Sequence, residues 1–415
     1  MSRRSKPWLE TAVLILITIS WYGTCISFPY TNWDDCFFIL ENPVLRLPPL
    51  QAFTAIWHPA AIPGEQLYIP LTYLSFWLEH LVSHGWNPAM SHAINLALHL
   101  SNVLLLFFIL GKLPVTRHLR FWICLVFAVH PLQSEAVCWV MGRKDLLSAT
   151  LGFMAMAVYL RLRKYHTGIM VATILAGCAV LAKPSVLGFF PLLLFCWWHR
   201  WKSCRVGDSD SQKRLAISGL MPAIIILVTG GLLISLNLAC GATSGTAWQE
   251  SGALPCQQWL FRLGAPFVFI DFAVQKLCLL LPALVFHPIP VLKEIQIASI
   301  LRGIAVACLC AAGLGTLYHR NIRMFRHAIV WLGIAGFFAI PTIALMVSGR
   351  SFLYADRYLY LFSAPLLVSL FIAFAGVWPG IARPGSYSAT KMALGSLMVI
   401  LFLITGFDAI RQWKN

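Results

Sequence analysis

Apolar runs close to the roughly 20 residues that cross a bilayer core alternate along this chain with short polar stretches. The runs predict helices at about 11–28, 90–110, 119–130, 146–161, 168–182, 186–199, 215–238, 297–317, 328–347, 358–378 and 391–408. Several are shorter than a full crossing and borrow residues from their flanks. The first run, Ala12 to Phe28, is long, contains Trp21 and Tyr22 and has no clear small-residue cleavage site, so it reads as a retained span. Segment 258–286 is apolar enough to cross but carries Arg262, Asp271 and Lys276, and is expected to be an interfacial or re-entrant helix. Between the first two spans, LRLPPLQAFTAIW and LYIPLTYLSFWLEHLVSHGW show aromatic and aliphatic faces broken by polar positions. Two helices lying along the membrane interface are expected there.

The expectation is therefore an all-α polytopic membrane protein, one transmembrane domain over 1–415 with about eleven crossings. Its outer loops would be 29–89, with the interfacial helices, and 239–296. Composition agrees: 59% of residues are hydrophobic and only 11% charged, too few for a soluble surface. The net charge of +16 would point to nucleic acid in a soluble chain. Here Lys and Arg gather in short loops such as KLPVTRHLR (112–120), RLRKYH (161–166), HRWKSCRVGDSDSQKR (199–214) and YHRNIRMFRH (318–327), which the positive-inside rule places in the cytoplasm. The charge is topology, and no nucleic-acid partner is expected. The N-terminus would then be cytoplasmic and the C-terminus extracytoplasmic. Residues 131–145, Lys183 and 348–357 would join the two outer loops on the outer face.

Of 12 cysteines, Cys25, Cys124, Cys178, Cys278, Cys308 and Cys310 sit in apolar runs, where cysteine acts as a small hydrophobe. Cys240 and Cys256 flank a polar loop and could pair in an oxidising compartment. No Cys or His spacing argues for zinc. His92 and His99 lie seven apart on one helical face and read as packing or lining residues.

Four outer-face clusters carry possible chemistry. The first is TNWDDCFFILENPVLR (31–46), where Asp34 and Asp35 offer a general base, an acceptor-binding group or a metal ligand. Alternatively Asp34 caps a helix through DCFFIL, with Asp35 at its positive end. In AVHPLQSEAVCWVMGRKDLLSA (128–149), Pro131 breaks a helix after His130. The chain then presents Gln133, Ser134, Glu135, Arg143, Lys144 and Asp145, either as snorkelling anchors or to hold an anion such as a lipid-linked phosphate. LAKPSVLGFF sets Lys183 between two apolar runs, where a charge usually faces a polar cavity. SGRSFLYADRYLYLFSAP gathers Arg350, Asp356, Arg357, Tyr358 and Tyr360, with Asp356 and Arg357 open to a role as counter-ions.

Read in order, WDDCFFILENPVL, YIPLTYLSFWLEHLVSHGWNPAMSHAINLALH, FAVHPLQSEAVCWVMGRKDLLSA, LAKPSV and YADRYLYLFSAP resemble the membrane domain of the transmembrane and tetratricopeptide-repeat (TMTC) O-mannosyltransferases and their bacterial relatives, within the GT-C glycosyltransferase superfamily. The departures are Ile69, where the family usually has Arg, Pro184, where it has an acid, and the family's repeat array, which is not among these residues. The resemblance implies a GT-C-like, inverting transferase. It would move a sugar, mannose in the family, from a polyprenyl or dolichyl phosphate carrier to a protein or glycan acceptor on the outer face.

By position, Asp34 would deprotonate the acceptor hydroxyl and Asp35 assist it or bind acceptor. Arg143, Lys183 and Arg357 would hold the donor phosphate, and His130, Glu135, Lys144, Asp356 and Tyr360 would line the sugar or acceptor pocket. The sequence requires no cofactor and no metal ligand set, and leaves a divalent ion open. Two alternatives use the same residues: a flippase for a lipid-linked sugar, which needs no base, and an inactive transferase fold, which Ile69 and Pro184 favour. The absence of any Asn-x-Ser/Thr sequon tilts the expected location to a bacterial inner membrane over the endoplasmic reticulum.

Overall fold

The structure, a computed structural model, describes residues 7–58 except 33, 62, 67–203 except 114, 163 and 164, a few positions between 224 and 235, then 255–278, 297–347, 355–377 and 404–414. All regular structure among these residues is helical. Among the described residues five helices are long and apolar enough to cross a membrane: Trp8–Ser27, Pro88–Leu110, Ile297–Arg320, Ile322–Ala344 and Asp356–Val377. The pair Arg117–Val129 and Pro131–Cys138, bent by 51°, makes a sixth if taken as one span. The protein is an integral membrane protein. Every expected span coincides with a helix except 215–238 and 391–408, which lie largely outside the described residues.

The chain divides into two compact units. The first comprises 1–25, 116–138 and 245–415. It contains α1 (Pro7–Tyr22), α5 (Arg117–Val129), α6 (Ser134–Cys138), α10 (Pro255–Leu277), α11 (Ile297–Arg320), α12 (Ile322–Val347) and α13 (Tyr360–Val377). α12 packs along α13, α10 along α11, and α5 against both α1 and α13. Leu301 and Leu309 stay exposed on α11, as lipid-facing residues do. α10 is a single 23-residue helix covering most of the doubtful segment 258–286. It is not among the helices apolar enough to cross, because Arg262, Asp271 and Lys276 interrupt it. Cys25 and Cys138 form a disulfide in this unit. That overturns the reading of Cys25 as a plain small hydrophobe: the end of the first span meets α6, and the two Cα atoms lie 5.5 Å apart, the usual bridging separation. The alternative pair Cys240 and Cys256 lies outside the side chains described.

The second unit comprises 26–115 and 139–244. It contains α2 (Pro49–Ile56), α3 (Pro70–Val82), α4 (Pro88–Leu110), α7 (Arg143–Arg161), α8 (Tyr165–Ala182) and α9 (Phe189–Ser203). α2 and α3 are the two helices expected in the first outer loop, and both begin with proline in the first turn, where its missing N–H costs nothing. The chain leaves α3 through His84 (φ 51°) and Gly85 (φ 148°). Asn87 then caps α4, its side chain accepting from the Met90 N–H at 3.2 Å. α7 packs along α4 and α8, and α3 crosses α8. α8 stops at Ala182 because Pro184 cannot continue it, leaving Lys183 in extended backbone (φ −158°, ψ 124°).

The helix contacts depend on small residues. A Cβ on Gly303 of α11 would lie 1.9 Å from the Phe267 carbonyl oxygen of α10, and that obstacle is backbone, so no rotamer relieves it. Gly303→Ala is expected to push α11 from α10 and destabilise the protein by about 1–3 kcal/mol, the usual range for overpacking. Thermal unfolding in detergent, read by size-exclusion chromatography after heating, checks this. An unchanged midpoint would contradict the close approach.

Candidate functional site

The second unit holds Asp34, Asp35, Arg143, Lys144 and Lys183. The chain enters a helical turn at Asp34, but neither aspartate caps it. Instead the Asp35 side chain turns inward and is completely buried. It accepts from the Thr31 N–H at 3.0 Å, the Thr31 hydroxyl at 2.7 Å and, through its other oxygen, the Met141 N–H at 3.0 Å. This ties the stretch between α1 and α2 to the stretch before α7. Burial pushes the Asp35 carboxyl above its ordinary value, the Thr31 and Met141 bonds pull it back, and the Asp34 charge pushes it up again. Asp34 is half-buried and makes no hydrogen bond or ion pair among the described residues.

Arg143 is completely buried at the start of α7. Its guanidinium meets Glu79 of α3 at 2.5 Å, the Asn95 side-chain oxygen at 3.1 Å and the Ser91 carbonyl at 3.0 Å, and lies over the Phe76 ring with its centre 4.2 Å from the centroid. Asn95 donates in turn to the Trp139 and Val140 carbonyls at 2.9 and 3.2 Å. Ser91 donates to Glu79 and pairs with the Tyr30 hydroxyl at 2.9 Å. Asp145 is joined to Lys183, and the Thr72 hydroxyl donates to the Ala182 carbonyl at 2.9 Å beside it. Lys144 is 8% exposed, with the Trp139 ring 5.5 Å from its ammonium.

Arg143 and Lys144, open to a role as snorkelling anchors or as anion holders, lie in a stretch, 130–146, in which every residue is buried. The physical reason is local neutralisation: Glu79 and Lys183 let Arg143 and Asp145 enter the interior with their charges balanced. The Arg143 guanidinium, expected at the donor phosphate, already meets Glu79, Asn95 and Ser91.

The first unit holds His130, Glu135, Asp356, Arg357 and Tyr360. Pro131 ends α5 as expected, and the freed His130 ring caps the next turn, its Nδ1 accepting from the Leu132 N–H at 3.1 Å. Its Nε2 lies 3.1 Å from the Leu277 carbonyl and so donates, and the Tyr22 hydroxyl donates to the His130 carbonyl at 3.2 Å. Glu135 accepts from the Arg357 N–H at 2.8 Å and pairs with its guanidinium. Asp356 pairs with Lys276 of α10 at 2.9 Å. The Tyr360 ring packs edge-on against Phe127, 5.4 Å between centroids. Asp356 and Arg357 are thus each ion-paired across the unit, with Lys276 and Glu135. Among the described residues no three of His, Cys, Asp and Glu gather where they would hold a metal ion.

Sequence reasoning did not single out Glu79, Ser91 and Asn95, or the pairing of Lys276. The signal was present: ionisable and amide groups inside apolar helices are costly unless they answer one another.

No protein-family model matches the sequence. The mouse protein O-mannosyl-transferase TMTC1 is 34% identical over 180 residues, 42% of this chain and 18% of that protein. The chain resembles the TMTC-type O-mannosyl-transferases. Human TMTC4 of the same type is 24% identical over 452 residues, 94% of this chain and 59% of that protein. This chain thus spans less than two thirds of the TMTC-type relatives it matches. An oligosaccharyltransferase of the archaeon Archaeoglobus fulgidus superposes with a TM-score of 0.48 at 10% identity, over 100% of this chain and 56% of that one.

Two predictions follow from this geometry. Removing either partner of the Arg143–Glu79 pair, as Arg143→Met or Glu79→Gln, should cost about 3–5 kcal/mol, and the double variant should recover part of it. A thermal-stability cycle in detergent measures both, and additive losses would deny the pairing. At Asp35, the raised folded-state value means the ionised carboxylate opposes folding, so stability falls as pH rises from about 4 through that value. Asp35→Asn should flatten that slope. Asp35→Ala should instead cost about 1–3 kcal/mol for each N–H it leaves unanswered.

Proposed function

We propose that this protein is a membrane glycosyltransferase that moves a sugar from a polyprenyl or dolichyl phosphate carrier to a hydroxyl acceptor at the extracytoplasmic face, with inversion at the sugar carbon. The observation that carries the reading is Asp34: a half-buried carboxylate with no partner among the described residues, next to an Asp35 that is fully engaged. The names of the TMTC-type relatives favour mannose as the sugar and a protein as the acceptor.

In this mechanism Asp34 takes the proton from the acceptor hydroxyl as its oxygen attacks the anomeric carbon from the side opposite the phosphate. The bond between that carbon and the phosphate oxygen breaks, and its electron pair leaves with the lipid phosphate. Asp35 does not touch substrate; it fixes the turn that carries Asp34 through Thr31 and Met141. A lipid-linked donor diffuses in the membrane plane while the acceptor comes from water, so a base on an outer loop close to the bilayer meets both.

The test is transfer from a short-chain polyprenyl phosphate sugar by purified protein, wild type against Asp34→Asn. Loss of general-base catalysis should lower turnover by about 10²–10⁴-fold while donor binding persists. Equal turnover in the two proteins would rule Asp34 out as the base. Translocation of the donor across vesicles without any sugar release would favour a flippase.

A further inference from the structure

Three consecutive charged residues open α7: Arg143, Lys144 and Asp145. The outer two are answered, Arg143 by Glu79 and Asp145 by Lys183. Lys144 between them is 8% exposed and, among the described residues, has no ion pair and no hydrogen bond. What it has is the Trp139 ring at 5.5 Å. Such a cation–π contact returns less than it costs to hold a bare ammonium in a low-dielectric interior. A second feature lies at the same place. The N-cap of α7 is Gly142, which offers no side-chain oxygen; the Arg143 N–H donates to the Val140 carbonyl, and no side chain caps the N–H groups that follow it. Buried positive charge and an uncapped helix N-terminus coincide, and both are satisfied by one anion.

We propose that Lys144 and the N-terminus of α7 form a phosphate-binding site, and that Lys144, instead of the acid-paired Arg143 and Lys183, meets the charge of the donor's phosphate. The assignment rests on the transferase reading above for the identity of the donor, but not for the existence of the site. The chemistry recognised is a phosphate monoanion or dianion. It can arrive on a polyprenyl lipid or free in water, and a lysine ammonium serves either as a compact point charge.

The geometry also separates Lys144 from its neighbours. Arg143 cannot turn to a ligand without abandoning Glu79, Asn95 and Ser91, and Lys183 cannot without stripping Asp145 of its counter-ion. Lys144 gives up only a ring contact. A phosphate held there would lie one residue from the Arg143 anchor and three residues from Met141, whose N–H fastens Asp35. The loop bearing the proposed base and the proposed phosphate site are therefore tied to the same short stretch of chain.

The experiment uses full-length protein in nanodiscs, titrated with a short-chain polyprenyl phosphate, with inorganic phosphate, and with phosphatidylglycerol as a lipid-anion control. Binding is read by native mass spectrometry and by the shift in unfolding temperature. Lys144→Met should weaken polyprenyl phosphate binding by at least about tenfold, the loss of one charge-assisted contact, while Lys144→Arg stays within a few-fold of wild type. Without ligand, Lys144→Met should be as stable as wild type or more so, because it removes an unanswered buried charge. A Lys144-dependent response to inorganic phosphate would identify a free-anion site of the same chemistry; a response to the polyprenyl lipid alone would identify a lipid site. Unchanged affinity in Lys144→Met overturns the proposal, as does a ligand-free protein destabilised by that change, which would make the lysine structural. Lys144-dependent binding without sugar transfer would remove the transferase reading and leave the site standing. Transfer unaffected by Lys144→Met would do the reverse.

Discussion

The interior of this protein is organised by the cost of placing charge away from water. Arg143 is completely enclosed, and an isolated guanidinium could not be. Glu79 neutralises it, and the hydrogen bonds that complete its shell come from Ser91 and Asn95 on α4. One side chain thereby fixes α3, α4 and α7 relative to each other. A buried pair of this kind adds little net stability over apolar packing, but breaking one half of it is severe. Its effect is to select a single register for three helices whose apolar surfaces alone would tolerate sliding.

The same constraint explains why the acids are where they are. With 15 Asp and Glu against 31 Lys and Arg, acids are scarce. Glu10, Glu79, Glu135, Asp145, Asp271 and Asp356 each face a cation. In the first unit the result is two adjoining pairs, Glu135 with Arg357 and Asp356 with Lys276. Neighbouring residues 356 and 357, of opposite sign, thus reach different partners, fastening the start of α13 to α6 and α10.

Much of this was legible in the sequence because hydropathy reports helix position directly. The spans at α4, α11, α12 and α13, the break at Pro131 and the break at Pro184 all follow from apolar run length and from proline's missing N–H. What the pattern does not reveal is partner choice. Arg143 and Lys144 are adjacent and chemically alike, and only the fold brings Glu79, 64 residues earlier, to one of them and, among the described residues, no acid to the other. Cys25 was hidden for the same reason: an apolar neighbourhood describes its surroundings equally well whether or not Cys138 stands opposite.

Asp34 and Asp35 show how a doubled residue can divide two tasks. Successive side chains on a helical turn point about 100° apart, so Asp34 and Asp35 leave the turn in different directions. Asp35 takes the inward direction because the Thr31 and Met141 donors lie there. That choice leaves Asp34 half-buried and without a hydrogen-bond or ion-pair partner among the described residues. The Asp35 oxygens are committed to Thr31 and Met141, whereas Asp34 makes no hydrogen bond or ion pair among the described residues. The pair therefore divides into a buried anchor and a half-buried carboxylate, set by a single rotation of the backbone.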